Sequence, residues 1–232
     1  MYKISLDNLN SLFSAIAEKQ GLYLPVDTEA GAKFERWEEG KELSDRLNTV
    51  RSPKDFFFPQ TENLMDFKVE GKSVEIIDTR SECEDFVIFG IRGCDVKSFE
   101  VLDRVFLADP IDTYYENRRK HSTIVSMACT RPVETCFCHT FGIDASEPEG
   151  DVVCYKTEDT LYLDAKTDKG VALLDGISGV LSESDGTAVD EQKKMIAERM
   201  EKLPLANLSA DKFGADKTKE FFDRSEWSEL SQ

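Results

Sequence analysis

Apolar residues recur at helical spacing in the first segment, where Leu6, Leu9, Leu12, Phe13 and Ile16 share one face. The pattern predicts an amphipathic helix over Ser5 to Gln20, closed by Gly21. The stretches LYLPVDTEAGAKFERW and DFKVEGKSVEIIDT then predict short strands and turns, with EGK as a hairpin connection. Between them, RSPKDFFFPQTENL sets three consecutive Phe among Pro53 and Pro59. Two prolines oppose a regular element, so the Phe cluster is expected as an irregular loop tucked onto the core.

The most legible unit follows. DFVIFGI, from Asp85 to Ile91, is an unbroken apolar run of the kind found in a strand covered on both faces. RGCD turns the chain and Asp95 is placed to cap a helix, with Val96, Phe99, Leu102, Val105 and Phe106 along one side. After the polar and aromatic helical stretch ADPIDTYYENRRKH, STIVSMAC supplies a second apolar strand. Strand, helix, strand in this order predicts a right-handed βαβ crossover with parallel strands. Cys94 and Cys129 then both fall at the C-terminal ends of neighbouring strands, where open α/β sheets build their sites.

Beyond Gly142, DVVCYKTEDTLYLDAKT predicts a hairpin, KGVALL starts a helix, and SGVLSESDGTAVD is a polar connector. DEQKKMIAERMEKL predicts a surface helix stopped by Pro204, and one more helical piece closes the chain. The expected fold is α/β: a mixed sheet containing a βαβ crossover, with peripheral helices and a helical C-terminal part. Residues 1–182 are expected as the α/β domain and residues 183–232 as a helical C-terminal extension.

Composition narrows the function classes. With 232 residues, 40% of them hydrophobic, the chain can build a real core. A net charge of −17 argues against nucleic acid, whose binders need a basic surface to displace counterions. No apolar run is long enough to span a bilayer, and the N-terminus lacks the basic and apolar blocks of a signal peptide. A cytoplasmic location is expected, where clustered cysteines point to metal or catalysis before disulfides.

The chain has six cysteines, and IVSMACTRPVETCFCHTFG gathers Cys129, Cys136 and Cys138 with spacing C-x6-C-x-C. With Cys94 they make four thiols. Four thiolates are the usual ligand set of a [4Fe–4S] cluster, and soft sulfur also suits zinc. Zinc sites favour paired C-x(2–4)-C knuckles, which are missing here. Iron–sulfur, zinc and no metal all stay open on spacing alone. Pro132 stiffens the loop, and Gly90, Gly93 and Gly142 allow close backbone approach. Cys83 and Cys154 lack partners at metal spacing and are expected as ordinary small side chains. His139 is expected as a loop residue. The basic run Arg118, Arg119, Lys120 is either a solvated helix end or an anchor for an anionic cofactor or partner.

At FGIRGCDVKSFEVLDRVF and CTRPVETCFCHTFG the sequence resembles the β subunits of soluble sulfhydrogenases and the A subunit of anaerobic sulfite reductase. That group shows G-x-R-P-C-D, then D..Y..RR, then a cysteine followed by P..TCFC. Here stand Arg92-Gly93-Cys94-Asp95, then Asp112, Tyr115, Arg118 and Arg119, then Cys129, Pro132 and Thr135-Cys136-Phe137-Cys138. Gly93 replaces the usual proline, which should relax the turn. RSPKDFFFPQTENL also looks like the family's early loop, so the resemblance runs from about Arg51 to Gly170. It implies an electron-transfer module holding one [4Fe–4S] cluster through Cys94, Cys129, Cys136 and Cys138. It implies no bond chemistry of the chain's own and, as partners, a flavoprotein and a catalytic subunit of hydrogenase or sulfite-reductase type. The family continues into a ferredoxin-like region with two C-x2-C-x2-C-x3-C-P motifs that this sequence lacks, so the chain is expected to be the N-terminal portion of a longer protein. The alternative is a structural or docking domain holding zinc or no metal.

Overall fold

The computed structural model describes residues 1–231, apart from the side chains of Ser81 and Glu82. The chain opens with β1 (Tyr2–Ser5) and α1 (Leu9–Ala17), then the hairpin of β2 (Gly21–Thr28) and β3 (Gly31–Arg36). A second hairpin, β4 (Met65–Glu70) and β5 (Ser73–Asp78), leads to β6 (Phe86–Arg92), α2 (Gly93–Phe106), α3 (Thr113–His121) and β7 (Ser122–Met127). A long loop is followed by β8 (Val152–Lys156), β9 (Thr160–Ala165), α4 (Asp168–Gly176), β10 (Ser182–Glu183) and α5 (Thr187–Glu201). Two short helices, α6 (Ala215–Phe221) and α7 (Glu226–Leu230), come last.

Eight strands form one mixed sheet in the order β10-β1-β9-β8-β7-β6-β2-β3. Its centre, β2-β6-β7-β8, is parallel, and antiparallel strands flank it on both sides. The apolar runs predicted as covered strands lie in that centre: Val87 to Phe89 and Ile91 are fully buried, and every residue of β7 is buried. β6 and β7 are adjacent and parallel, with Phe86 opposite Ser122, as the crossover requires. A register shift between Phe89 and Ile91 marks a bulge at Gly90, whose φ of 82° is open to glycine but not to most side chains.

Helices cover both faces. α1 and α4 press Leu12, Phe13, Ile16, Leu173 and Leu174 onto one face. On the other, α2, α3 and the Phe loop bury Phe99, Tyr115 and Phe57 against Ile88 and Ile91, and α5 buries Val189 and Ile196 against Val153 and Tyr155. The Phe loop behaves as expected: Phe57 is fully buried with its ring edge-on to Phe99 at 4.8 Å, while Phe58 is exposed. The β4–β5 hairpin stays outside the main sheet with almost all of its residues exposed.

Two local expectations shift. The first helix is shorter than its periodicity suggested, because Tyr2–Ser5 pairs with β9 as a strand and Gly21 begins β2 instead of ending the helix. Asp95 does not cap α2. The helix begins at Gly93, and the Asp95 carboxylate lies in its first turn, accepting a hydrogen bond from Ser52 Oγ at 2.6 Å. A carboxylate there still complements the helix dipole.

The basic run is engaged with carboxylates. Arg118 pairs with Glu62, Lys120 with Glu116, and Arg119 with Asp103 through Nε and Nη2, both at 2.9 Å. Arg119 also lies 4.9 Å over the Phe57 ring. Burial pushes the Asp103 carboxyl up, but hydrogen bonds from Arg119 and Tyr115 outweigh it and hold its pKa below the usual value. A depressed carboxylate stabilises the fold above its unfolded pKa and loses that contribution as pH falls through the folded one. Asp103→Asn should therefore destabilise by about 2 kcal/mol near neutral pH, between the ranges for exposed and buried pairs. Denaturant titration should show the gap closing below about pH 4.

Candidate metal centre

The C-terminal edge of the parallel strands is where the thiols gather. Cys94 follows β6 in the first turn of α2, and Cys129 lies two residues beyond β7. Cys136 and Cys138 lie farther along the same loop, Cys138 opening a short 3₁₀ turn to Phe141. Gly142, with φ of 69°, ends that turn in the left-handed conformation.

The four thiols are electrostatic neighbours. Burial, then Cys94, Cys136 and Cys129 as nearby anions, push the Cys138 pKa up to about 11. Burial raises Cys129 as well, against the pull of the Arg92 guanidinium, and Cys136 adds to the rise. Cys94 is raised by burial, by Asp95 and by Cys129, while the N–H groups at the start of α2 pull it down. Cys94, Cys136 and Cys138 line one cavity of about 630 Å³, shared with Val101, Phe137 and Phe141. Among the described residues no group of three or more His, Cys, Asp or Glu side chains is placed to hold a metal ion. Cys94, Cys136 and Cys138 thus share a mouth without closing on a single point.

Cys83 and Cys154 lie elsewhere, as expected. Cys154 is fully buried in β8 within the core under α1 and α4, and burial alone raises its pKa strongly. Cys83 is close to Arg118 and precedes β6, whereas Cys94 follows that strand. His139 is exposed on the thiol loop.

Three features of the site were not read from the sequence. Arg92, at the end of β6, donates to the Ala128 carbonyl at 3.4 Å. Burial lowers its pKa while Cys129 and Cys94 pull it up, so a guanidinium lies within electrostatic reach of two of the thiols. Its position two residues before Cys94 was the available signal. The Val133 N–H donates to Cys136 Sγ at 3.4 Å, an amide-to-sulfur contact of the kind that steadies a thiolate. Third, a Cβ on Gly93 would stand 2.9 Å from Pro148 Cβ and 3.2 Å from Ile143 Cγ2. The end of the thiol loop therefore leans into space that only glycine leaves free.

Over 158 residues, 68% of this chain, the sequence is 32% identical to sulfhydrogenase 2 subunit beta of Pyrococcus furiosus. Over that stretch the chain resembles a sulfhydrogenase beta subunit. The match spans 46% of that relative, so the chain covers about half of its length. No protein-family model and no solved structure matches the chain. Against the proline usual in the sulfhydrogenase beta motif, Gly93 is explained by packing. It occupies the first helical position, where proline suits a helix, but Pro148 and Ile143 already fill the room a ring would need. Among the described residues no helix is long and apolar enough to cross a membrane.

Proposed function

We propose that this chain is an electron-transfer module that holds one [4Fe–4S] cluster through Cys94, Cys129, Cys136 and Cys138. The observation that supports the reading is that Cys94, Cys136 and Cys138 line one cavity at the C-terminal edge of the parallel strands, with Cys129 just beyond the end of β7 on the same loop as the last two. The donor set fits. All four ligands are soft sulfur, Cys94 lies at a helix N-terminus that favours a thiolate, and an amide N–H already reaches Cys136. A single zinc would require four sulfurs at about 2.3 Å from one point, whereas a cluster takes one thiolate per iron and tolerates wider spacing.

When bound, the cluster supplies one-electron storage at a potential set by burial, charge and hydrogen bonds to sulfur. The chain's own residues do the rest. β6 and β7 fix the first two ligands, the loop presents the other two, and Arg92 offsets negative charge. The electrons would pass between a flavoprotein and a catalytic subunit of a hydrogenase- or sulfite-reductase-type complex, which the kinship to a sulfhydrogenase beta subunit supports. Residues 1–182 would form the cluster-binding domain and residues 183–232 an extension toward a further ferredoxin-like domain.

Anaerobic production followed by an absorbance scan and metal analysis tests the reading. A brown protein with a broad band near 400 nm and about four irons per chain is expected. A colourless, zinc-loaded protein would replace the proposal with a structural, docking role.

A further inference from the structure

The thiol loop, residues 128–151, is long and has one 3₁₀ turn as its only regular element. Its base is tied to the sheet: the Ala128 N–H donates to the Cys154 carbonyl at 2.9 Å. The bonds near Cys136 and Cys138 are internal to the loop, from the Cys136 N–H to the Val133 carbonyl at 2.9 Å and from the Ile143 N–H to the Cys138 carbonyl at 3.2 Å. They shape the tip without tying it to the body.

A segment distant in sequence makes that tie. After α5 the chain runs through successive turns from Leu203 to Phe213. Thr140, buried on the loop, donates through Oγ1 to the Leu208 carbonyl at 2.9 Å. The Phe213 ring lies nearly parallel to Phe137, at 6.4 Å and 13°, and meets Phe141 at 5.4 Å. Phe137 stands between Cys136 and Cys138 in the chain, so the Phe213 ring packs on the stretch of loop that carries the two thiols the sheet does not place. α5 anchors the segment, with Ile196 buried and Gln192 Nε2 donating to the Lys156 carbonyl at 2.9 Å.

We propose that residues 203–213 are a strap whose Phe213 ring and Leu208 carbonyl position Cys136 and Cys138, and thereby set how fast the site takes up or releases its cluster. The link to uptake rests on the cluster reading above; the positioning does not. Phe213, Thr140 and Leu208 are positioning residues and would not touch the cluster. Because Phe213 remains 45% exposed, its loss should loosen the tip while the core is unaffected.

The test is site-resolved alkylation of the reduced, metal-free chain by iodoacetamide, read by mass spectrometry, for the parent, Phe213→Ala and Phe213→Tyr. Phe213→Ala should speed modification of Cys136 and Cys138 by about tenfold, the loss of two ring contacts. Cys94 and the buried Cys154 should keep parental rates, and Phe213→Tyr, which retains the ring, should restore the parent. Unchanged rates at Cys136 and Cys138 would overturn the strap. So would an equal rise at Cys154, which would make residues 203–213 a general part of the fold. In reconstituted protein, Phe213→Ala should also lose iron faster to a chelator. If neither protein takes up iron while the alkylation result holds, the positioning stands and the cluster reading fails.

Discussion

Cys136→Ser in anaerobically reconstituted protein is expected to retain well under half of the parent's iron and to change its EPR signal, while Cys154→Ser keeps both. The two cysteines differ in place, which makes the contrast informative. Cys136 is half-buried on a loop, where its sulfur accepts one N–H. Exchanging it for a hydroxyl removes a soft ligand at little expense to packing, and a harder oxygen is a poorer partner for iron. Cys154 is fully buried among apolar side chains of the sheet. A serine hydroxyl there faces desolvation without a partner, so stability should fall by about 1–3 kcal/mol. Thermal unfolding and iron analysis on the same samples should therefore move in opposite senses: iron without stability at position 136, stability without iron at position 154. Iron lost equally from both would point to folding damage, and the ligand assignment would lose its support.

The scaffold under those thiols was legible because it is written in unbroken apolar runs. β6 and β7 are covered on both faces, so their sequences carry no alternation to confuse with a surface strand, and their order around α2 forces a parallel crossover. Once those strands are placed, Cys94 and Cys129 follow at their ends. The edges of the sheet were less readable. β1 is four residues long and β10 two, and strands that short take their conformation from the neighbour they pair with. The α1 periodicity simply ran on through Ser5, with nothing local to stop it.

What surrounds the thiols was hidden for another reason. Arg92 acts through its position relative to two separate segments, and Phe213 meets Phe137 across a gap of more than seventy residues in sequence. Beyond the nearness of Arg92 to Cys94 in the chain, neither relation has a local pattern. The basic run at Arg118 to Lys120 shows the converse. It read either as a solvated helix end or as an anchor for an anionic ligand, and Glu62, Asp103 and Glu116 arrive from elsewhere or one turn away to engage each side chain.

Gly170→Ala should lower the melting temperature by about 6–12 °C, the equivalent of about 3 kcal/mol in a chain of this size. Helix propensity alone argues the other way. Gly170 lies inside α4, and exchanging helical glycine for alanine ordinarily stabilises by about 1 kcal/mol. Packing decides the sign. A Cβ on Gly170 would fall within the van der Waals envelope of the Asp151 carbonyl oxygen, with the carbonyl carbon at 2.7 Å and Val152 Cγ2 at 3.2 Å. That carbonyl is already committed, accepting the Lys166 N–H at 2.8 Å, and the Asp151 side chain accepts from Thr167 Oγ1 at 2.6 Å and from the Ile124 N–H at 2.8 Å. Backbone cannot swing aside as a long side chain can, so relief requires α4 to lift from the junction of the thiol loop with β8. Overpacking against a fixed partner belongs at the upper end of the usual 1–3 kcal/mol, and the strained hydrogen bonds add to it. Gly179→Ala, at a site with nothing within 4 Å of the added carbon, should change stability by less than about 0.5 kcal/mol. Circular dichroism melts of the two variants beside the parent would separate the effects. A Gly170→Ala protein that melts at or above the parent would mean that α4 does not press on Asp151, and that the loop joining Cys138 to β8 is anchored by something else.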